Sequence, residues 1–119
     1  FVQEGPDLQP DKLLDDLSLV IKTESGLVII LGCAHRGIIN IINHIKQLTG
    51  VTKIQTIIGG SHLMGVSEER LWQTIAALRE LGVQKLGLCH CTDLPAAGVL
   101  AQEFAGNFFY NKAGTVITI

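Results

Sequence analysis

Three short segments each run an apolar stretch into a histidine: "IILGCAH" ends at His35, "TIIGGSH" at His62 and "LGLCH" at His90. Cysteines crowd the same places. Cys33 lies in the first segment, and Cys89 and Cys91 flank His90. Neutral imidazoles and thiolates are ligand types from which zinc, iron and manganese sites are built. Each pattern is short, and Cys-x-His or His-Cys arises by chance. The recurrence is the signal: an apolar strand stops, and a metal-capable side chain follows at once. The fourth histidine, His44, falls inside a helical repeat and reads as helix surface.

The elements that must position these groups follow from periodicity and turn chemistry. Leu17–Thr23 is β-branched and partly alternating, which predicts a strand. Glu24-Ser25-Gly26 is a turn, and Leu27–Leu31 returns as a buried strand, completing a hairpin. Ile38, Ile41, Ile42, Ile45 and Leu48 recur at helical spacing, with a stop at Thr49-Gly50. Lys53–Ile58 is the next strand. Ser67 then caps a helix with the stripe Leu71, Ile75, Leu78 and Leu81. Glu68 and Glu69 suit its positive end, and Gly82 closes it. Lys85–Cys89 is a third buried strand. Asp93 and Pro95 fit the start of a last helix reaching about Ala105. "NFFY" and "TVITI" around "NKAG" predict a closing hairpin, and residues 1–14 read as a lead-in loop.

The resulting order is β-β-α-β-α-β-α-β-β, an α/β domain over 1–119 whose central strands run parallel. In open sheets of this kind, functional groups gather beyond the carboxyl ends of the strands. Parallel neighbours therefore bring His35, His62 and His90 to one edge. Gly32, Gly59 and Gly60 let the backbone bend there and leave room beside a ligand.

The bulk properties narrow the function. A chain of 119 residues suits one domain. Its net charge is -2, without a basic cluster, which argues against a nucleic-acid surface. No apolar stretch reaches the roughly 18 residues of a membrane span, and the N-terminus lacks the shape of a signal peptide. Three cysteines, an odd number set beside histidines, argue against a disulfide scaffold and for a reducing cytoplasm. Counting glycine and leaving out tyrosine, the apolar share is about 57%, above the roughly 45–50% of an average domain. The mean hydropathy of +0.38 agrees. The chain therefore expects to cover apolar surface with another protein surface. It also starts without methionine, the expectation for a fragment or processed piece.

The blocks "DDLSLVIKTESGLVIILGCAHRGIINII", "IIGGSHL" and "CHCT" resemble the C-terminal half of a metallo-β-lactamase-fold hydrolase. Within that superfamily they resemble the metal-dependent hydrolases of superfamily II associated with a dihydropterin-aminobenzene-phosphate synthase. The resemblance runs from about Asp15 to Ile119. It implies an αββα sandwich with a metal centre between two sheet edges, where one divalent ion or a pair activates water against an ester, amide or phosphoester of a small-molecule substrate.

The same resemblance suggests roles. His90 matches the late histidine ligand of the fold, and His35 is the branch's own histidine and a ligand. His62 is a ligand or a group that orients one. Cys33 stands where many relatives place a bridging aspartate. The metal is zinc first, with iron or manganese as alternatives. Two positions depart from the branch: Ser61 replaces a phenylalanine before the histidine, and Asp93 replaces a glycine. The His-x-His-x-Asp-His run of the superfamily is absent from these residues. At most half a ligand set remains, so the fragment is expected to be inactive alone. It should pair with a missing N-terminal half of the same fold, and self-associate in isolation through the face meant for that half.

Plainer readings stand beside these. His90 can be a core residue bonded to backbone, and Cys33 a small buried hydrophobe. Cys89 and Cys91 are expected to alternate across the strand end, and could instead hold a structural zinc. "GGSHLMG" before a helix resembles a phosphate cradle, but Glu68 and Glu69 would repel an anion there. At the level of the whole chain, the rivals are a non-catalytic α/β partner-binding module and a small redox or structural-zinc protein.

Overall fold

The computed structural model describes residues 2–119, leaving aside the side chains of Val2 and Glu4. Two short strands, β1 (Val2–Glu4) and β2 (Asp7–Gln9), form an antiparallel hairpin. The main sheet has five strands in the order β3 (Ser18–Thr23), β4 (Gly26–Leu31), β5 (Ile54–Gly60), β6 (Lys85–Cys89) and β7 (Phe108–Tyr110). β3 is antiparallel to β4, and β4 to β7 run parallel. Helices α1 (Ile38–Thr49), α2 (Glu68–Glu80) and α3 (Leu94–Glu103) make the crossovers. This is the mixed α/β arrangement that the alternation of strand and helix patterns predicts.

The helix ends behave as their residues dictate. Ser67 Oγ accepts from Arg70 N–H at 3.3 Å, and Asp93 accepts from Ala96 N–H at 2.9 Å. Gly50, at φ 68°, closes α1 by donating its N–H to the Lys46 carbonyl at 3.0 Å. One expected core position fails. Leu48 is 72% exposed, because it lies at the rim of the stripe formed by Ile38, Ile42 and Ile45, beyond half-buried Ile41.

Two predicted segments differ from the structure. The lead-in over 1–14 contains the β1–β2 hairpin, with Gly5 at φ 66° in its turn. The second strand of the closing hairpin does not form: residues 115–119 lie outside the sheet, and β7 remains an edge. "TVITI" has strand composition, yet Val116 is 90% exposed. β propensity acts through packing on a half-buried surface, and this tail lacks one.

The core occupies one face of the sheet. The row Val20, Ile29, Ile57, Leu86 and Phe108 crosses all five strands. It packs with Ile42 and Ile45 of α1, Ile75 and Leu78 of α2, and Leu100 of α3. All three helices thus cover the same side. The adjacent row, Leu19, Ile30, Ile58, Gly87 and Phe109, points the other way and takes no part in that core. No helix lies over it. A Cβ on Gly87 would come within 2.3 Å of Phe109 Cζ, so the phenyl ring lies directly on that glycine.

Candidate metal centre

The carboxyl ends of β4, β5 and β6 lie side by side, paired through Leu31–Gly59 and Gly60–Cys89. Each strand there meets a backbone bend. Ala34, His62, His90 and Asp93 all have positive φ, between 52° and 56°. They are four of the five such non-glycine residues among those described. Strained backbone held by its surroundings clusters at functional sites, and here it lies at one edge of the sheet.

The strands approach too closely for side chains at two positions. Gly59, at φ 116°, would place a Cβ 2.1 Å from the Leu31 carbonyl oxygen. A Cβ on Gly60 would stand 2.6 Å from the Gly32 carbonyl oxygen, 2.7 Å from Cys91 Sγ and 3.1 Å from Cys33 Cα. Gly60 therefore opens the space in which the two cysteines approach.

The ligand-type atoms of Cys33, His90 and Cys91 lie within 4.8 Å of one another. A tetrahedral zinc with bonds of about 2.0–2.3 Å separates its ligand atoms by roughly 3.3–3.8 Å, so side-chain rotation suffices to close the group. Two thiolates and an imidazole form a recognised zinc donor set, and three protein ligands leave a position open. By donor type and spacing, this group can hold a metal ion. Cys91 is buried, Cys33 half-buried and His90 exposed.

Cys91 is the anchor. Its Sγ accepts the His62 N–H at 3.1 Å and donates to the Cys33 carbonyl at 3.3 Å. Burial pushes its thiol above the ordinary value, and neighbouring Cys33 adds to this, while the His62 N–H opposes it. A bound cation would supply the missing stabilisation of the thiolate. Cys89 is placed differently. It makes a weak contact to the Gly59 carbonyl at 3.8 Å, and burial raises its thiol too. Residues two apart in a strand share a face, so Cys89 and Cys91 part because the chain leaves the strand for one 3-10 turn over His90–Thr92. That turn carries Cys91 inward.

His35 and His62 form a separate pair. Their rings stand edge to face with centroids 4.7 Å apart, and both are exposed. The four residues singled out by sequence thus fall into two neighbouring groups: Cys33 and His90 join Cys91, and His35 joins His62. His44 is exposed on α1.

Three positioning contacts lacked a clear sequence signal. Asp16 accepts the Arg36 N–H at 2.9 Å and fixes the loop that bears His35. Ser61 and Thr92 share a buried hydroxyl hydrogen bond of 2.9 Å, joining the loops after β5 and β6. The Met64 N–H donates to the Cys91 carbonyl at 2.9 Å. Ser61 was visible only as a departure from the related branch, and its partner explains it: a phenylalanine could not bond Thr92. A cleft of about 290 Å³ opens nearby between α1 and α2, lined by residues such as Asn40, Ser61, Arg70 and Thr74. None of the five cysteine and histidine side chains at the rim lines it.

Among the described residues, no helix is long and apolar enough to cross a membrane. No family model matches the sequence. A curated relative, the 7,8-dihydropterin-6-methyl-4-(beta-D-ribofuranosyl)-aminobenzene-5'-phosphate synthase of Methanocaldococcus jannaschii, is 38% identical over 107 residues, covering 90% of this chain and 36% of the relative. An uncharacterised protein of the same organism is 33% identical over 109 residues, covering 92% of this chain and 39% of its own length. The crystal structure of Tm1679, described as a metal-dependent hydrolase of the beta-lactamase superfamily, superposes with a TM-score of 0.72 at 38% identity. That match covers 77% of this chain and 36% of that one. The chain therefore spans a little over a third of the proteins it matches. The resemblance read from "GCAH", "GGSHL" and "CHCT" is borne out in sequence and in fold, and the five-stranded sheet with three helices matches half of a beta-lactamase-type fold.

Proposed function

We propose that this chain supplies part of the metal centre of a metal-dependent hydrolase, with a divalent ion, zinc first and iron or manganese as alternatives, held by Cys33, His90 and Cys91. One observation carries the reading. Ligand atoms from two strand-end loops converge within 4.8 Å in a chain 38% identical to part of such a hydrolase. The metal would act as a Lewis acid and lower the pKa of bound water.

The chain's own residues have distinct tasks. Cys91, held by the His62 N–H, fixes the sulfur position at the buried side. His90 closes the group from the exposed side. His35 and His62, both exposed at the same rim, are placed to orient a small-molecule ester, amide or phosphoester or to move a proton. Either also remains available as a ligand once further donors join. Those donors, including the His-x-His-x-Asp-His run, belong in this reading to a longer polypeptide, and the chain alone is inactive. The same polypeptide would lay its second sheet over the Leu19–Phe109 row. The absence of a membrane-spanning helix fits the cytoplasm as the site of action. The relative named as an aminobenzene-phosphate synthase supports a second reading, a synthase acting on a phosphate-bearing aromatic.

Metal analysis of the full-length protein tests the proposal. Wild type should hold about one equivalent or more, and His90→Ala and Cys91→Ser should each weaken retention by at least about tenfold. Unchanged metal content and turnover in both variants would leave a non-catalytic partner-binding module as the better account.

A further inference from the structure

We propose that Cys33 and Cys91 form a reversible disulfide, and that this bond competes with a metal ion for the same two sulfur atoms. The competition rests on the reading of Cys33, His90 and Cys91 as a metal centre, whereas the disulfide rests on the position of the sulfurs alone. Cys33 follows β4 and Cys91 follows β6, 58 positions apart in sequence, yet their sulfurs lie within 4.8 Å. Cys91 Sγ already faces Cys33 and donates to its carbonyl at 3.3 Å. Both cysteines crowd one point on β5, since a Cβ on Gly60 would stand 2.7 Å from Cys91 Sγ and 3.1 Å from Cys33 Cα. A disulfide needs sulfurs about 2.05 Å apart and Cα atoms about 4.4–6.8 Å apart. Rotation of the two side chains is the motion that would bring the sulfurs from within 4.8 Å to bonding distance. Cys89 lies outside this group and is an internal control.

Hydrogen peroxide is the oxidant. It reaches half-buried Cys33 before buried Cys91. The Cys33 thiol gives its proton to water, and the sulfur attacks one peroxide oxygen. The O–O bond breaks, leaving a sulfenic acid and a hydroxide that takes up a proton. Cys91 sulfur then attacks Cys33 sulfur, the S–O bond breaks, and the departing hydroxide takes the Cys91 proton. Two thiols and one peroxide become one disulfide and two waters, with two electrons passing from sulfur to oxygen. A dithiol reductant reverses the bond by exchange. Once joined, neither sulfur is a thiolate, and His90 loses both partners at the site. A metal already bound holds the sulfurs and slows their oxidation.

The test uses the reduced, metal-free protein, treated with hydrogen peroxide and mapped by mass spectrometry under denaturing conditions. The expected product has lost two hydrogens and yields a Cys33–Cys91 cross-linked peptide. Cys89→Ser should keep the cross-link. Adding zinc alone before peroxide should slow thiol loss by about tenfold or more, and oxidised protein should bind no zinc until reduced. A Cys33–Cys89 link, or sulfinic and sulfonic products without a link, would overturn the disulfide. Zinc binding without a cross-link sinks this inference and leaves the metal reading standing. A cross-link in protein that never binds zinc sinks the metal reading and the competition with it.

Discussion

At the scale of single residues, the rim is built by a glycine and a buried sulfur as much as by histidines. Gly60 lacks the atom that would strike the Gly32 carbonyl and Cys91 Sγ. Gly60→Ala should therefore destabilise by about 1–3 kcal/mol and abolish metal retention, read by chemical denaturation and metal analysis. Asp93 is the opposite case. Its φ 54°, ψ 170° lies near a region that suits glycine, yet its carboxylate caps α3. Relief of the backbone outweighs the few tenths of a kcal/mol by which a glycine cap is weaker. Asp93→Gly should thus gain about 1 kcal/mol or more, whereas Asp93→Ala should lose about 1 kcal/mol or more through the missing cap. A loss in both would show that this conformation is unstrained. The contrast gives the glycine expected at this position a physical reason.

At the scale of elements, the parallel strands do the positioning. β4, β5 and β6 end in register, so three loops far apart in sequence share one edge. The helices hold that edge still from one side. Ile57, at the centre of β5, is fully buried between the sheet and the helices. Ile57→Ala should destabilise by about 2–5 kcal/mol, measured as a lower denaturation midpoint, and loosen the rim with it. A change below 1 kcal/mol, on the order of a surface substitution, would mean the core had collapsed around the gap. The contacts between α2 and α3 contribute less. Arg79 pairs with the Glu103 carboxylate and lies over Phe104 at 5.8 Å, but its side chain is half exposed, where ion pairs stabilise little.

At the scale of the whole molecule, the three helices cover one sheet face, and the row from Leu19 to Phe109 on the other takes no part in that core. That row is only partly covered: Leu19 is 60% exposed, and Ile30, Ile58 and Phe109 are half-buried, which accords with the high apolar share of the chain. In isolation the chain should self-associate through this face, giving a light-scattering mass above its 12.8 kDa. Leu19→Lys, at a position already 60% exposed, should shift it toward monomer. A monomer at every concentration would contradict the assignment of this face.

The sequence alone determined the order of strands and helices from β3 to β7, the caps at Ser67 and Asp93, and the gathering of three histidines at one edge. Those features are local, written in side-chain periodicity, turn chemistry and the rule that parallel strands point one way. It did not determine which thiols and imidazoles meet. Cys91 lies just beyond the predicted strand, and its approach to Cys33 depends on the turn at His90 and on the space left by Gly60 on β5, between the two strands that precede the cysteines. Nor could it reveal that "TVITI" lacks a neighbour, or that Ser61 and Thr92 would bond. Such pairings depend on distances between segments remote in sequence, and only the packed sheet sets those distances.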